Sequence, residues 1–336
     1  MKYDIVTIGS AVKDTFLFLD SADAPVIANP SGDARRQKLI ALEYGAKIDV
    51  ARSIRTLGGG GINTAVTFAR FGLTSAAVVS IGSDEDGGAI TETLRREGIG
   101  RAFVVRDPKR STGFSVLIVA GEKKRDRVVL TERGASSMNN FSATSNGITK
   151  TKWYYTSAMT GKNWKGEVSD IKSAASKHGI SWAWNPGSVQ LSAGLSVLSG
   201  YMKFCSVFIV NRDEALELTR AKNDIKTLLS KLLQTNASRV IISDGINGVY
   251  YGDTECMIHM SANKSIKAVE ATGAGDAFGS GFVAGLIEKN DVPYALDLGI
   301  TNSESVICKI GAQDGILKKG DIAVALKKSK HQLHYV

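Results

Sequence analysis

The chain has 336 residues, 43% of them hydrophobic, with a formal net charge of +9. It is long enough for one large or two small domains and apolar enough to bury a substantial core. The basic residues fall in short separate runs (Arg35-Arg36, Lys123-Lys124-Arg125, Lys318-Lys319, Lys327-Lys328) with no interleaved aromatics, so they read as solvated faces and no nucleic-acid partner is expected. No apolar run approaches the ~20 residues of a membrane span, and the N-terminus enters a strand with Asp4 inside it, unlike a signal peptide. Cys205, Cys256 and Cys308 are odd in number and form no C-x-x-C pair, which reads as reduced thiols and a cytoplasmic setting.

In chain order, strands are expected at 4–9, 75–81, 152–156, 181–185, 206–210 and 238–242. Helices are expected at 62–71, 85–97, 164–178, 211–220, 224–235, 274–288 and 293–309. The alternation predicts a largely parallel sheet covered by helices on both faces. Two segments break it. Residues 15–57 mix polar and apolar positions without a dominant period, and 20–40, with Pro25, Pro30 and Gly32, reads as a flexible insertion. Residues 101–131 read as strands: Ala102–Val105, Gly113–Val119 and Arg127–Thr131. His331 and His334 form an H-x-x-H without acidic or cysteine partners in the sequence, and read as a mobile tail.

Two glycine clusters carry the chemistry. In the second, Gly273-Ala274-Gly275-Asp276 precedes an apolar pattern at helical spacing, Ala277, Phe278, Phe282, Val283 and Leu286. Small residues let backbone N–H groups approach an anion, and a helix N-terminus adds unsatisfied donors and a favourable dipole. A carboxylate in that place repels a resting phosphate, but as a general base it takes a proton from an attacking hydroxyl. The combination points to phosphoryl transfer to an alcohol, against the plainer reading of Asp276 as a helix cap. The first cluster, Gly58-Gly59-Gly60-Gly61-Ile62-Asn63, runs into a second helical pattern. Four glycines favour close approach to a ligand, and Asn63 offers a donor and an acceptor to a polyol.

Together the clusters resemble the paired signatures of the ribokinase-like (PfkB-type) carbohydrate kinases. Gly59, Gly60, Asn63, Gly72 and Gly82 match the first signature; Thr272 to Asp276, Ser280 and Gly281 match the second. The resemblance spans about 4 to 315. It implies one ribokinase-like domain over 1–336: a three-layer α/β/α fold with a mainly parallel sheet and a small β-sheet lid from about 15–57 and 101–131. It also implies an ATP- and Mg²⁺-dependent kinase with Asp276 as base and the Gly273, Ala274, Gly275 and Asp276 amides on the transferring group. Asp14, Gly59, Gly60 and Asn63 would then bind the acceptor. Asn211, Ser243, Gly245, Gly248, Thr272 and Asn302 would hold the nucleotide, with Asn302 beside the adenine and Glu214 acting on the metal through water. A homodimer through the lid is a further implication.

The departures bear on the substrate. Glu270 and Ala271 replace the usual Asp-Thr pair, where relatives bind a monovalent cation, so K⁺ dependence stays open. Gly60 stands where ribokinases carry lysine, and Ser157 and Ala158 lie near where they place an acidic sugar contact. A free sugar suits Asp14 and Asn63; a nucleoside would use Phe16, Phe18 or Tyr44 for stacking; a sugar phosphate would need Lys47 or Arg133. A catalytically silent sugar or nucleotide sensor on the same fold is the non-enzyme alternative. Other nucleotide folds fail on their motifs. Gly9-Ser10-Ala11-Val12-Lys13-Asp14 lacks the dinucleotide fingerprint, and Gly161-Lys162-Asn163 is no Walker loop.

Overall fold

The computed structural model describes residues 2–31, 37–120, 127–138 and 141–336. The basic runs Arg35-Arg36 and Lys123-Lys124-Arg125, and Gly32 of the expected insertion, lie outside the described residues. The first strands are β1 (Tyr3–Ile8), β2 (Val12–Phe18), β3 (Val26–Ala28), β4 (Lys38–Ile40) and β5 (Arg52–Gly58). Then come α1 (Gly60–Arg70), β6 (Ser75–Gly82), α2 (Glu85–Arg96), β7 (Val104–Asp107), β8 (Gly113–Val119), β9 (Arg127–Glu132) and β10 (Thr151–Thr156). The middle of the chain adds α3 (Trp164–His178), β11 (Ser181–Trp184), α4 (Ser188–Leu191), α5 (Leu195–Met202), β12 (Val207–Asn211), α6 (Arg212–Thr219) and α7 (Ile225–Leu233). The last are β13 (Val240–Ser243), β14 (Val249–Gly252), β15 (Met257–Met260), α8 (Ala274–Lys289), α9 (Val292–Ile307), α10 (Lys319–Lys328) and β16 (Leu333–Tyr335).

The large sheet runs β16-β15-β14-β13-β12-β11-β10-β1-β6-β7. From β7 to β13 neighbours are parallel, and β14, β15 and β16 extend it antiparallel. Alternation along the strands feeds two cores. Trp182, Trp184, Phe208 and Val210 pack on one face with Val168, Ile171 and Leu228. Ala183, Val207 and Ile209 face the other with Phe278, Phe282 and Leu298. Helix α7 shows why such a segment is helical: Asp224 caps it, and buried Ile225, Leu228, Leu229 and Leu232 form one stripe. The result is the expected three-layer α/β/α fold.

Chain order reverses at β1, which has β6 on one side and β10 on the other. In open parallel sheets such a switch point opens a crevice beyond the strand C-termini. Gly9-Ser10 after β1 and Ser157 after β10 lie there.

A second sheet, β5-β2-β8-β9, stands apart from the first. Register places Asp14, Thr56, Ser115 and Thr131 abreast, followed by Phe16, Ile54, Leu117 and Val129 on the same face. The expected boundaries need two corrections. Residues 104–107 form β7 in the large sheet, paired with β6, instead of joining the small one. Within 20–40, the described residues form the β3–β4 ladder, so this part carries regular structure.

The C-terminus corrects the reading of 331–334 as a mobile tail. Strand β16 pairs with β15. The His331 side chain is 1% exposed, with Nδ1 2.6 Å from Asp297 Oδ1 and Nε2 3.1 Å from Glu304 Oε2. Burial by itself lowers an imidazole pKa; the bonds to Asp297 and Glu304 outweigh it and raise His331 to about 9. A raised folded value adds stability that is fully present below the unfolded pKa near 6.5 and lost as pH climbs through about 9. The melting temperature should therefore fall between these limits by the equivalent of roughly 1–3 kcal/mol, and His331→Gln should flatten that part of a calorimetric pH series.

Candidate active site

The N-terminus of α8 is built by packing. Residues Ala277 to Leu286 are all buried, so this helix lies inside the molecule and does not border it. Helix α9 clamps its first turn: Asn302 Nδ2 donates to Ala277 O (2.9 Å) and Ser303 Oγ to Ala274 O (3.0 Å). Gly273 caps the helix at φ 79°, a left-handed conformation, and a Cβ there would stand 2.4 Å from Ala312. Ala274 N–H donates to Ala271 O at 3.2 Å, while no hydrogen bond engages the N–H groups of Gly275 and Asp276. The two free donors face outward at the positive helix end, which makes an anion site. Of the four amides expected to serve there, Ala274's is therefore already engaged.

Asp276 enters from this turn. Its Oδ2 accepts from Asn63 Nδ2 at 2.9 Å. Its Oδ1 faces the first glycine cluster: a Cβ at Gly60 would lie 3.1 Å from it and 2.5 Å from Ser157 Oγ. Gly59, at φ 98°, brings the chain against Ser10 O. Burial raises the Asp276 pKa, and the Asn63 donor partly offsets this. Asn63, expected to bind the acceptor, is 4% exposed, and its side-chain oxygen accepts from Gln313 Nε2 at 3.0 Å. Its polar atoms thus serve Asp276 and Gln313.

Asp14 comes to the same place from the small sheet and is 6% exposed. Burial lifts its pKa to about 6; the Ser115 hydroxyl opposes this, Glu270 and Asp276 add to it, and Arg127 opposes it. Arg127, on β9, bonds Glu270 Oε1 at 2.6 Å, which ties the small sheet to the loop before α8. Glu270 Oε1 also accepts from Thr272 N (2.8 Å) and Oγ1 (2.7 Å), and its Oε2 is buried without a hydrogen-bond partner. Thr272, expected at the nucleotide, has its hydroxyl engaged in shaping this loop.

On the other side of α8 lies a largely apolar cavity of about 290 Å³, at the lower end for small-molecule sites. Ser243, Gly245 and Gly248 form one wall; Ala271, Ala274, Gly275 and Phe278 form a second, and Ile300, Ser303, Glu304 and Ile307 of α9 a third. Asn302 does not line it. That residue is 0% exposed, donating to Ala277 O and accepting from Leu317 N, because the helical turn points it into the α8–α9 seam. The α9 residues that face the cavity are instead Ile300 and Ser303. Asn211 and Glu214 cap α6 reciprocally, each side chain accepting from the other's N–H; burial raises the Glu214 pKa. Among the described residues no group of three or more His, Cys, Asp or Glu is arranged to hold a metal. Magnesium that arrives on nucleotide phosphates keeps most of its waters and needs one or two carboxylates, a demand that Glu214 fits.

The family model for "pfkB family carbohydrate kinase" matches residues 29–319. The chain belongs to this family. It is a phosphotransferase with an alcohol group as acceptor. The kinase is 26% identical over 255 residues to an uncharacterized sugar kinase of Archaeoglobus fulgidus, covering 75% of this chain and 98% of that one. It is 22% identical to ribokinase of Bacillus subtilis, covering 79% and 86%. Among solved structures, Arabidopsis thaliana ribokinase complexed with ribose and ATP superposes with a TM-score of 0.79 at 18% identity, covering 98% and 100%. Burkholderia thailandensis nucleoside kinase in complex with inosine gives 0.77 at 16%, covering 97% and 98%.

Sequence reasoning missed Arg127, Gln313 and the α9 face of the cavity. Arg127 carried no local signal, since its partner is 143 positions later in the chain. Gln313 carried no local signal either, since its partner Asn63 is 250 positions earlier in the chain.

Gly275 offers a clean test of the anion site. A Cβ there would meet nothing within 4 Å, so Gly275→Ala should leave the melting temperature unchanged or raise it by up to about 1 kcal/mol equivalent. The methyl would shield the free N–H groups, and kcat/KM for the nucleotide should drop roughly tenfold or more. Calorimetry and steady-state kinetics on one preparation check both.

Proposed function

We propose that this kinase transfers the γ-phosphoryl group of ATP to a hydroxyl of a free sugar, with Asp276 as the general base. The observation that carries the reading is the position of the Asp276 carboxylate. It sits inside the first turn of α8, with free N–H groups of that turn on one side and Gly60, Ser157 and Asp14 on the other. ATP would lie with its base in the apolar cavity and its terminal phosphoryl at the Gly275 and Asp276 amides. Asp276 Oδ1 would take the hydroxyl proton as the phosphoryl group moves, and the amides would stabilise charge on its oxygens. Glu214 would hold magnesium through water, and the ion would supply charge neutralisation on the phosphates.

The acceptor side favours a sugar over a nucleoside. Phe16 is 0% exposed in a cluster with Leu117, Val119, Ile54 and Ile310, Arg52 covers the Phe18 ring, and Tyr44 stands wholly in solvent. None of the three aromatics offers a face to a base inside the site. A sugar phosphate fits less well, because Arg127 is paired with Glu270 and Lys47 and Arg133 are exposed. The names ribokinase and sugar kinase among the relatives agree with this choice. For K⁺ the fit is poor: Arg127 already meets Glu270, Ala271 has no side-chain oxygen, and Glu270 Oε2 is the single donor left over.

The small sheet would act as a lid that excludes water as a competing acceptor, and we place the enzyme in the cytoplasm, where ATP and its three free cysteines are at home. Among the described residues no helix is long and apolar enough to cross a membrane. We also propose that the lid pairs with that of a second copy. Its outer face carries Phe114, Val116, Ile118, Val128 and Leu130 in adjoining register, with Phe114 38%, Val128 41% and Leu130 54% exposed. A continuous apolar face beside an open edge strand calls for a cover.

Two outcomes check the base and the dimer. Asp276→Asn should lower kcat by roughly 10²–10⁴-fold while ATP binding, followed by calorimetric titration, persists; near-normal turnover across ribose, fructose, adenosine and inosine would refute the base. In sedimentation equilibrium the native protein should be a dimer and the double variant Val128→Lys, Leu130→Lys a monomer.

A further inference from the structure

The site contains an amide whose orientation is decided from outside it. We propose that Gln313 is a positioning residue for the catalytic carboxylate: acting through Asn63, it fixes which oxygen of Asp276 is hydrogen-bonded and which one faces the acceptor. The inference rests on the reading of Asp276 as the base.

The chain of contacts is continuous. Gln313 Nε2 donates to Asn63 Oδ1 at 3.0 Å, and Asn63 Nδ2 donates to Asp276 Oδ2 at 2.9 Å. Gln313 is itself anchored, since its carbonyl accepts from Arg70 Nη1 at 2.7 Å. The Arg70 guanidinium is held in turn by both carboxylate oxygens of Glu97, at 3.1 and 2.8 Å. The neighbouring Ala312 packs against Gly273, the cap of α8. One short loop therefore touches the cap of the catalytic helix and the amide that holds its carboxylate.

A carboxamide can turn over and exchange its oxygen for its nitrogen. In the observed orientation Asn63 presents N–H to an acceptor-only carboxylate, and its oxygen requires a donor, which Gln313 provides. Turned over, Asn63 would set its oxygen against Asp276, an arrangement satisfied only when Asp276 is protonated and unable to act as a base. Gln313 supplies the bias against that state. The titratable groups that act on Asp276 are Asp14 from β2 and Tyr155 from β10. Asp14 is an acid that opposes a second negative charge and burial opposes it as well, so the carboxylate depends on the Asn63 donor. With Oδ2 held, Oδ1 remains on the Gly60 and Ser157 side, where the acceptor hydroxyl would sit.

The decisive comparison is Gln313→Glu with Gln313→Ala. The first keeps size and the Arg70 bond, which is made by the backbone, but places an acceptor against Asn63 Oδ1 and drives the amide over. The second only removes the bias. Carboxyl ¹³C titration of Asp276 in the free enzyme, and the acid limb of kcat/KM with the best acceptor among ribose, fructose, adenosine and inosine, should both move to higher pH. The shift should be about one pH unit for Gln313→Glu, tenfold in kcat/KM on the acid side, and smaller for Gln313→Ala. Activity should return toward the native level on the alkaline side, with melting temperatures near the native one. Unchanged titration in Gln313→Glu, or a larger effect from Gln313→Ala at every pH, would overturn the proposal. Asp276→Asn run alongside separates the two claims: an active variant sinks the base itself, whereas an inactive one together with a native acid limb in Gln313→Glu sinks the positioning role alone.

Discussion

The first turn of α8 combines two features that pull against one another: a helix start that favours an anion and the carboxylate of Asp276. A helix start attracts negative charge through its unsatisfied N–H groups, and here the N–H groups of Gly275 and Asp276 remain free. Both demands are met because the turn cannot move. Asn302 and Ser303 of α9 bond its carbonyls, Ala312 closes on Gly273, and the body of the helix is buried. The rigidity of a fully buried helix lets a few backbone groups keep their aim while a charge is transferred past them.

Charge in the site is arranged with the same care. Asp14 from β2 meets Glu270 and Asp276 from the segment that enters α8, with Arg127 the cation that reaches Asp14 and Glu270 from β9. Its bond to Glu270 joins the small sheet to the α8 loop, so the position of that sheet and the electrostatics of the site are linked by one contact. Asp14, its pKa lifted to about 6 by burial and its acidic neighbours, is the member most sensitive to that link. On the far side, Glu304 accepts from Asn263 N at 2.7 Å and lies beside His331. The last residues of the chain thereby brace the wall of the apolar cavity.

Much of the fold was legible before any coordinates. Strands such as 75–81 and 238–242 are short apolar runs, and helices such as 224–235 show a single buried stripe, so period and length identify them. The two glycine clusters were legible as well, because close approach to a ligand leaves a compositional trace. Elements whose identity depends on a partner were less so. Residues 104–107 could pair with either sheet, and only the position of β6 brings them into the large one. The short helices α4 and α5 and the strand β16 lack a strong period of their own. Asn302 has a residue type suited to a ligand, yet the phase of α9 turns it into the seam with α8.

By itself the sequence determined the α/β alternation, the place of an anion-binding helix start and the acid within it, since these depend on local spacing and on residue size. Tertiary structure decided which groups surround that acid. Asn63, with Gln313 behind it, and Ser157 come beside it from distant parts of the chain through sheet register and loop packing. Such meetings depend on how elements stack in space, and no local pattern of residues encodes them.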